Sequence, residues 1–263
     1  MDMNTVTVVS ALFDIGRDTW EHHGLSQGMY LNWYKNTLAL NSNHIIFTDD
    51  VFYDRLVAII DEHGTSDNVK IIKRQMTDLP AYRCYFGAMS AVMASDTFKK
   101  KIYFNVPESL YPLYNIIMFN KMFFLRDAMK NNPFNSDTFI WVDAGGLREN
   151  ISNYRGVIWP AREKMEKLCP DKINVFCHHP EIKIHNVQDH VLSQMRYIQG
   201  TAFFAPKDCI EKLISVFDKK VLACLSAGYI GSDEKILDLC YLEQPELFNL
   251  EVSTWRTYFD RYR

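Results

Sequence analysis

The sequence has little that would tie it to a membrane, a nucleic acid or an oxidising compartment. Across 263 residues no apolar run approaches the roughly 20 residues of a membrane span. The opening stretch MDMNTVTVVSALFD has no basic flank of the kind that begins a signal peptide. A soluble, cytoplasmic protein with no membrane span is therefore expected. The formal net charge is only −3 and the pI is near 6.2, so there is no electrostatic reason to expect a nucleic acid or an anionic membrane as partner. The six cysteines (Cys84, Cys169, Cys177, Cys209, Cys224 and Cys240) stand singly, without a CxxC pair. They read as reduced residues, most of them in the core. His178, His179, His185 and His190 lie close in sequence, but their spacing matches no structural zinc motif. Internal repeats, low-complexity tracts and an interdomain linker are missing as well, so one domain over 1–263 is the simplest expectation.

What is present is an alternation of short β-branched runs with amphipathic segments. Thr5 to Leu12 reads as a first strand, with Tyr30, Trp33, Tyr34 and Leu38 following at helical spacing. His44 to Thr48 and Val69 to Lys73 read as two more strands, separated by a helix that Gly64 ends. This β-α-β-α-β order predicts an α/β fold with a mixed, mostly parallel sheet flanked by helices. Met76 to Pro107 yields no clear reading. Tyr111 to Lys130 is a helix by its apolar spacing, and a further helix is expected around Ala161 to Leu168, with a strand near Ile173 to Phe176. Tyr197 to Ala205 reads as a strand, Pro206 opens a long helix, and Ser232 is placed as the N-cap of another.

The stretch SDTFIWVDAGG organises the chain. Phe139 to Val142 form an apolar strand that ends in one carboxylate, Asp143, followed by Ala144, Gly145 and Gly146. Ligands of open α/β sheets bind outside the carboxyl ends of the strands, and glycines there let a ligand reach the backbone. A simple Asp turn is the competing explanation. Gly200, Thr201 and Ala202 interrupt a later strand with small residues, leaving room for a ligand or for a close backbone.

The segments VVSALFDIGR, HIIFTDD, NPFNSDTFIWVDAGG, QGTAFFAP and GYIGSDEKIL, with Asn120-Lys121 between them, occur here in the order found in the bacterial HtrL/YibB-type family, which this sequence resembles from about Thr5 to Trp255. That family is similar to GT-A (Rossmann-like) glycosyltransferases, with relatives among genes for surface polysaccharide synthesis. The resemblance implies transfer of a sugar from a nucleotide-diphosphate donor, UDP-linked by preference, to a saccharide acceptor. It implies donor-binding roles for Phe13, Asp14, Arg17, Asp49, Lys121, Asp143, Ala144 and Gly145, and acceptor-binding roles for Gly200, Thr201, Ala202, His178 and His179. Asp143 is also the implied ligand of Mn²⁺ or Mg²⁺. The second carboxylate of the family's Asp-x-Asp is replaced by Gly145, and no histidine follows Glu234, which weakens the case for a tightly held ion. Asp233 and Glu234 correspond to the carboxylates that supply the general base of inverting enzymes, with Asp233 the first choice. Acidic residues in a first helical turn also favour the helix dipole, which is the plainer explanation for both. Two rival functions share these features: a sugar or nucleotide-sugar hydrolase, and a non-catalytic nucleotide-sugar-binding protein.

Overall fold

The computed structural model describes residues 6–102, 105–148, 154, 157–254 and 257–263. Its strands are β1 (Val6–Leu12), β2 (Asn43–Thr48), β3 (Val69–Lys73), β4 (Thr138–Val142), β5 (Ile173–Cys177), β6 (Ile198–Pro206) and β7 (Phe248–Val252). They form one sheet in the order β3-β2-β1-β4-β6-β5-β7. β1 runs parallel to β2 and β4, β2 to β3, and β5 to β7. β6 alone lies antiparallel, between β4 and β5. The mostly parallel α/β expectation is met, with β6 supplying the reversal.

The helices are α1 (Gln27–Leu38), α2 (Asp50–His63), α3 (Pro80–Ala94), α4 (Asp96–Lys101), α5 (Pro107–Leu110), α6 (Pro112–Asn131), α7 (Arg162–Met165), α8 (Val187–Val191), α9 (Lys207–Ser226), α10 (Asp233–Glu243) and α11 (Tyr258–Arg261). Strand periodicity divides them between the two faces of the sheet. Val9, Phe47, Phe139, Trp141 and Phe203 turn toward one face and pack with apolar residues of α3, α6, α9 and α10. Ile46 turns the other way onto α1 and α2, while Val8, Ile140 and Phe204 pack against Trp159, Tyr258 and Tyr262. This alternation is what a period of two produces when both faces are covered.

α6 lies against β1 and β4 on one side and against α3 and α9 on the other. Its residues are accordingly buried nearly all round, from Ile116 to Ala128, with Asn115, Asn120 and Lys121 as polar members. Asn120 Oδ1 accepts a hydrogen bond from the Ala81 N–H at the start of α3 (3.3 Å). The N-cap Leu79 has no side chain able to cap α3, so the neighbouring helix supplies the acceptor.

Several sequence expectations change. The unread stretch from Met76 holds α3, α4 and α5. The helix expected over Ala161 to Leu168 shortens to the single turn of α7. Ser232 does sit at the N-cap of α10, but its side chain makes no capping hydrogen bond. The six cysteines are free, yet Cys84 is exposed rather than in the core. β7 and α11 were not expected. Among the described residues no helix is long and apolar enough to cross a membrane.

Candidate functional site

Because β1, β2 and β4 are parallel, their carboxyl ends reach the same edge of the sheet, and antiparallel β6 brings its beginning there. The Asp143 N–H donates to the Thr201 carbonyl (2.9 Å), joining the two. At this edge a cavity of about 400 Å³ opens. Twelve of the residues singled out from sequence line it: Phe13, Asp14 and Arg17 after β1; Lys121 on α6; Asp143, Ala144 and Gly145 after β4; His178 after β5; Gly200 and Thr201 in β6; and Asp233 and Glu234 at the start of α10.

The floor of the cavity is an ion cluster. Lys121 is 1% exposed. Its ammonium lies 2.9 Å from Asp143 Oδ1 and 2.7 Å from Asp233 Oδ2, and donates to the Gly200 carbonyl at 2.9 Å. Burial alone would pull the ammonium pKa down, but the two carboxylates more than reverse this and hold it well above the ordinary lysine value. Asp143 is pushed up by burial, against the pull of Lys121. Trp141 Nε1 donates to the same Asp143 oxygen (2.7 Å). Trp141 and Asp143 are two residues apart at the end of a strand, and the indole is missed when only charged residues are sought.

Glu234 sits beside this cluster. Its Oε1 accepts from the Gly200 N–H and its Oε2 from Arg196 Nη1, both at 3.0 Å. Burial, and then the Asp233 charge, push its pKa up to about 7, with Arg196 opposing. Gly200 has to be small, because a Cβ there would run into the Asp233 carboxylate and press on Glu234 Cγ at 3.1 Å. α10 is held to the sheet by Asp238, which accepts from the Ile198 N–H (2.8 Å), the Tyr197 N–H (3.2 Å) and His190 Nε2 (3.0 Å). Neither Asp238 nor His190 carries a local motif; only the fold pairs them.

On the opposite wall Arg17 lies among three aromatic rings, those of Trp20, Tyr30 and Tyr114, at 5.4–5.5 Å, and donates to the Tyr30 hydroxyl. Arg148, unremarked in sequence, stacks over Trp33 at 4.2 Å and donates to the Gly145 carbonyl. Phe13 lines the cavity but is largely core, stacked on Phe124 at 5.7 Å.

Three residues singled out from sequence lie outside the cavity lining. Asp49 caps α2 through the Val51 and Phe52 N–H groups and accepts the Asp14 N–H, so its carboxylate serves the start of that helix. Ala202 turns into the apolar cluster around Val142 and Phe204. His179 is exposed. Nor do the protein's own groups make a home for a divalent ion. Mg²⁺ or Mn²⁺ asks for about six oxygen ligands. No group of three or more His, Cys, Asp and Glu side chains able to hold a metal occurs among the described residues. Asp143 Oδ1 is shared by Trp141 and Lys121, whose ammonium already places a positive charge beside the carboxylate. The side chains alone therefore make no closed ion site; an ion here would share Asp143 with waters and a donor's phosphates.

The sheet order, its single reversed strand and the cavity at the carboxyl edge define a GT-A-like α/β fold. The crystal structure of mouse xyloside xylosyltransferase 1 in its apo form shares it: the TM-score is 0.50 at 12% identity, covering 98% of this chain and 93% of that one. At this identity the likeness concerns the fold. Residues 4–263 match the family described as "Bacterial protein of unknown function (HtrL_YibB)", and the chain belongs to that family. Protein HtrL of Escherichia coli (strain K12) is 23% identical over 277 residues, spanning 99% of this chain and 92% of that protein.

Proposed function

We propose that this protein transfers a sugar, with inversion, from a nucleotide-diphosphate sugar, UDP-linked, to a saccharide acceptor in the assembly of a surface polysaccharide or related glycan. The observation that carries the reading is the placement of Glu234, a carboxylate with a pKa near 7, beside a buried Lys121–Asp143–Asp233 cluster on the floor of the cavity. The acceptor hydroxyl attacks the anomeric carbon, its proton passes to a carboxylate, and the bond to the diphosphate breaks with its electron pair on the leaving oxygen. A general base works best when its pKa lies near the working pH. Glu234 meets that condition, and its side chain is more open than that of Asp233, 14% against 5% exposed. Glu234 is therefore favoured over Asp233, the first choice from sequence. Arg17 and Arg148 face the cavity with positive charge for the leaving diphosphate, and Asp143 with its neighbouring glycine backbone meets the donor sugar.

The test is turnover of UDP-sugars by the purified protein with a panel of saccharide acceptors. Asp143→Ala is expected to lower transfer by about a hundredfold or more, the scale of a lost group that orients or stabilises reacting charge; an unchanged rate overturns the assignment. Free sugar released at full rate without any acceptor would make the protein a hydrolase. UDP binding without consumption of any donor would make it a binding protein.

A further inference from the structure

A second cavity, of about 190 Å³, adjoins the first, and Glu108, Arg196 and Ser232 line both. Into its wall is built Lys235, in the same first turn of the helix as Asp233 and Glu234, and only 4% exposed. A lysine that deep is expected to meet a carboxylate. Among the described residues Lys235 meets none within ion-pair distance. Its side-chain hydrogen bond among the described residues is a long donation to Ser193 Oγ (3.3 Å), and that hydroxyl already donates to the His190 carbonyl and accepts the Met195 N–H. No further hydrogen bond of this ammonium occurs among the described residues, and the residue lines the cavity. Of the twelve described lining residues, Lys235 and Arg196 carry positive charge, and Glu108, at the boundary with the first cavity, is the single carboxylate.

We propose that the second cavity receives an anionic group, a carboxylate or a phosphate, carried by the acceptor saccharide. The inference rests on the transfer reading for the word acceptor; the anion site itself rests on Lys235. Glu234, the base of that reading, immediately precedes Lys235 in the chain, and Arg196 binds Glu234 while lining the second cavity. An acceptor anchored by its charge at Lys235 reaches Glu234 with a neighbouring hydroxyl, and the anchor selects charged saccharides over neutral ones. Burial lowers the Lys235 pKa to about 8 against the more distant pull of Asp238, Glu234 and Glu108, with Arg196 adding to the fall, so the ammonium is held at a cost that an anion in contact would relieve.

The test compares glucose, glucuronate, glucose 6-phosphate and inorganic phosphate as probes by calorimetry, with and without saturating UDP. At least one charged sugar is expected to bind tenfold or more tightly than glucose, and Lys235→Met should remove that preference while leaving UDP affinity unchanged. Equal affinity for charged and neutral sugars, or a preference that survives in Lys235→Met, overturns the proposal. Inorganic phosphate binding as tightly as the sugar phosphate would show an ion site without a saccharide and overturns the acceptor assignment. If UDP does not bind and no donor is turned over, yet the Lys235-dependent preference persists, the transfer reading fails and the anion site stands. Should Lys235→Met not fold, amide NMR of the wild-type protein decides. The Ser193, Gly231 and Lys235 resonances should move with glucose 6-phosphate and not with glucose, and their silence overturns the proposal.

Discussion

Two lysines on helices beside the cavities, Lys121 and Lys235, are almost equally buried and sit in opposite electrostatic surroundings. Lys121 has two carboxylates and a carbonyl within 2.9 Å, whereas Lys235 has one hydroxyl at 3.3 Å. Burial penalises both ammonium groups, and the outcome depends on what surrounds each. The charge of Lys121 is compensated and locks α6, β4 and α10 together, so it is part of the fold. Lys235 makes no ion pair among the described residues; Asp238, Glu234 and Glu108 favour its charge only from a distance and do not outweigh burial, so it lines its cavity as a group that an anion would suit. The same residue type at the same depth is a structural tie in one place and a recognition group in the other.

The contrast is tested most severely by removing each charge in turn. Lys121→Met leaves Asp143 and Asp233 buried without their counterion and is expected to destabilise the protein by about 3–5 kcal/mol. Urea unfolding measures it, and a loss below about 1 kcal/mol would mean that Lys121 is not the tie described. Next in size is Glu234→Gln, which removes the proposed base while keeping the shape of the side chain. Transfer should fall by about a hundredfold or more, and the wild-type rate should rise with pH up to about 7, a limb that the variant lacks. Stability moves the other way. The folded state holds this proton to about pH 7 and an ordinary glutamate only to about 4.5, so between those values the folded protein binds more protons and loses stability as pH rises. Glu234→Gln should flatten that fall in a series of urea titrations across pH.

Asp238→Ala leaves the Ile198 and Tyr197 N–H groups and His190 without their acceptor. A loss of about 2–4 kcal/mol is expected from unmet buried donors, and with it slower transfer through misplacement of Glu234. If activity is kept in full while stability falls, Asp238 holds the fold and not the site. The smallest effect has the opposite sign. Lys235→Met exchanges a buried charge with no contact ion pair among the described residues for an apolar chain of similar length, and Tm should rise by about 2–4 °C, the shift expected for roughly 1 kcal/mol in a domain of this size. A fall in Tm would show that Lys235 is compensated after all and would erase the contrast with Lys121.

Much of this architecture is legible in the residues. The β-branched runs at Val8, Ile45 and Ile71 mark parallel strands, and Gly64, at φ 65°, ends α2 in a backbone region where a side chain is strained. The carboxylate at the end of β4 is found because an apolar strand, a lone Asp and two glycines form a local pattern. Asp49 and Ala202 show the limit of such patterns. Both lie in stretches that reach the site edge, yet one is consumed by a helix cap and the other turns onto the far face of the sheet. Arg196, Asp238 and His190 show the converse, since each owes its importance to a partner about 40 residues or more away.

The sequence by itself determined every strand but β7, the long helices other than α3, the edge at which a ligand is met and most of the charged groups around it. Those properties depend on periodicity and on neighbours in the chain. Only the tertiary structure decided which charges meet. Lys121 finds Asp233 112 residues away, while Lys235, two residues beyond that aspartate, lies on another side of the same helix and finds a hydroxyl. Helical spacing of roughly 100° per residue separates the two environments. Whether a buried charge is satisfied is a property of three-dimensional neighbours, and no local pattern carries it.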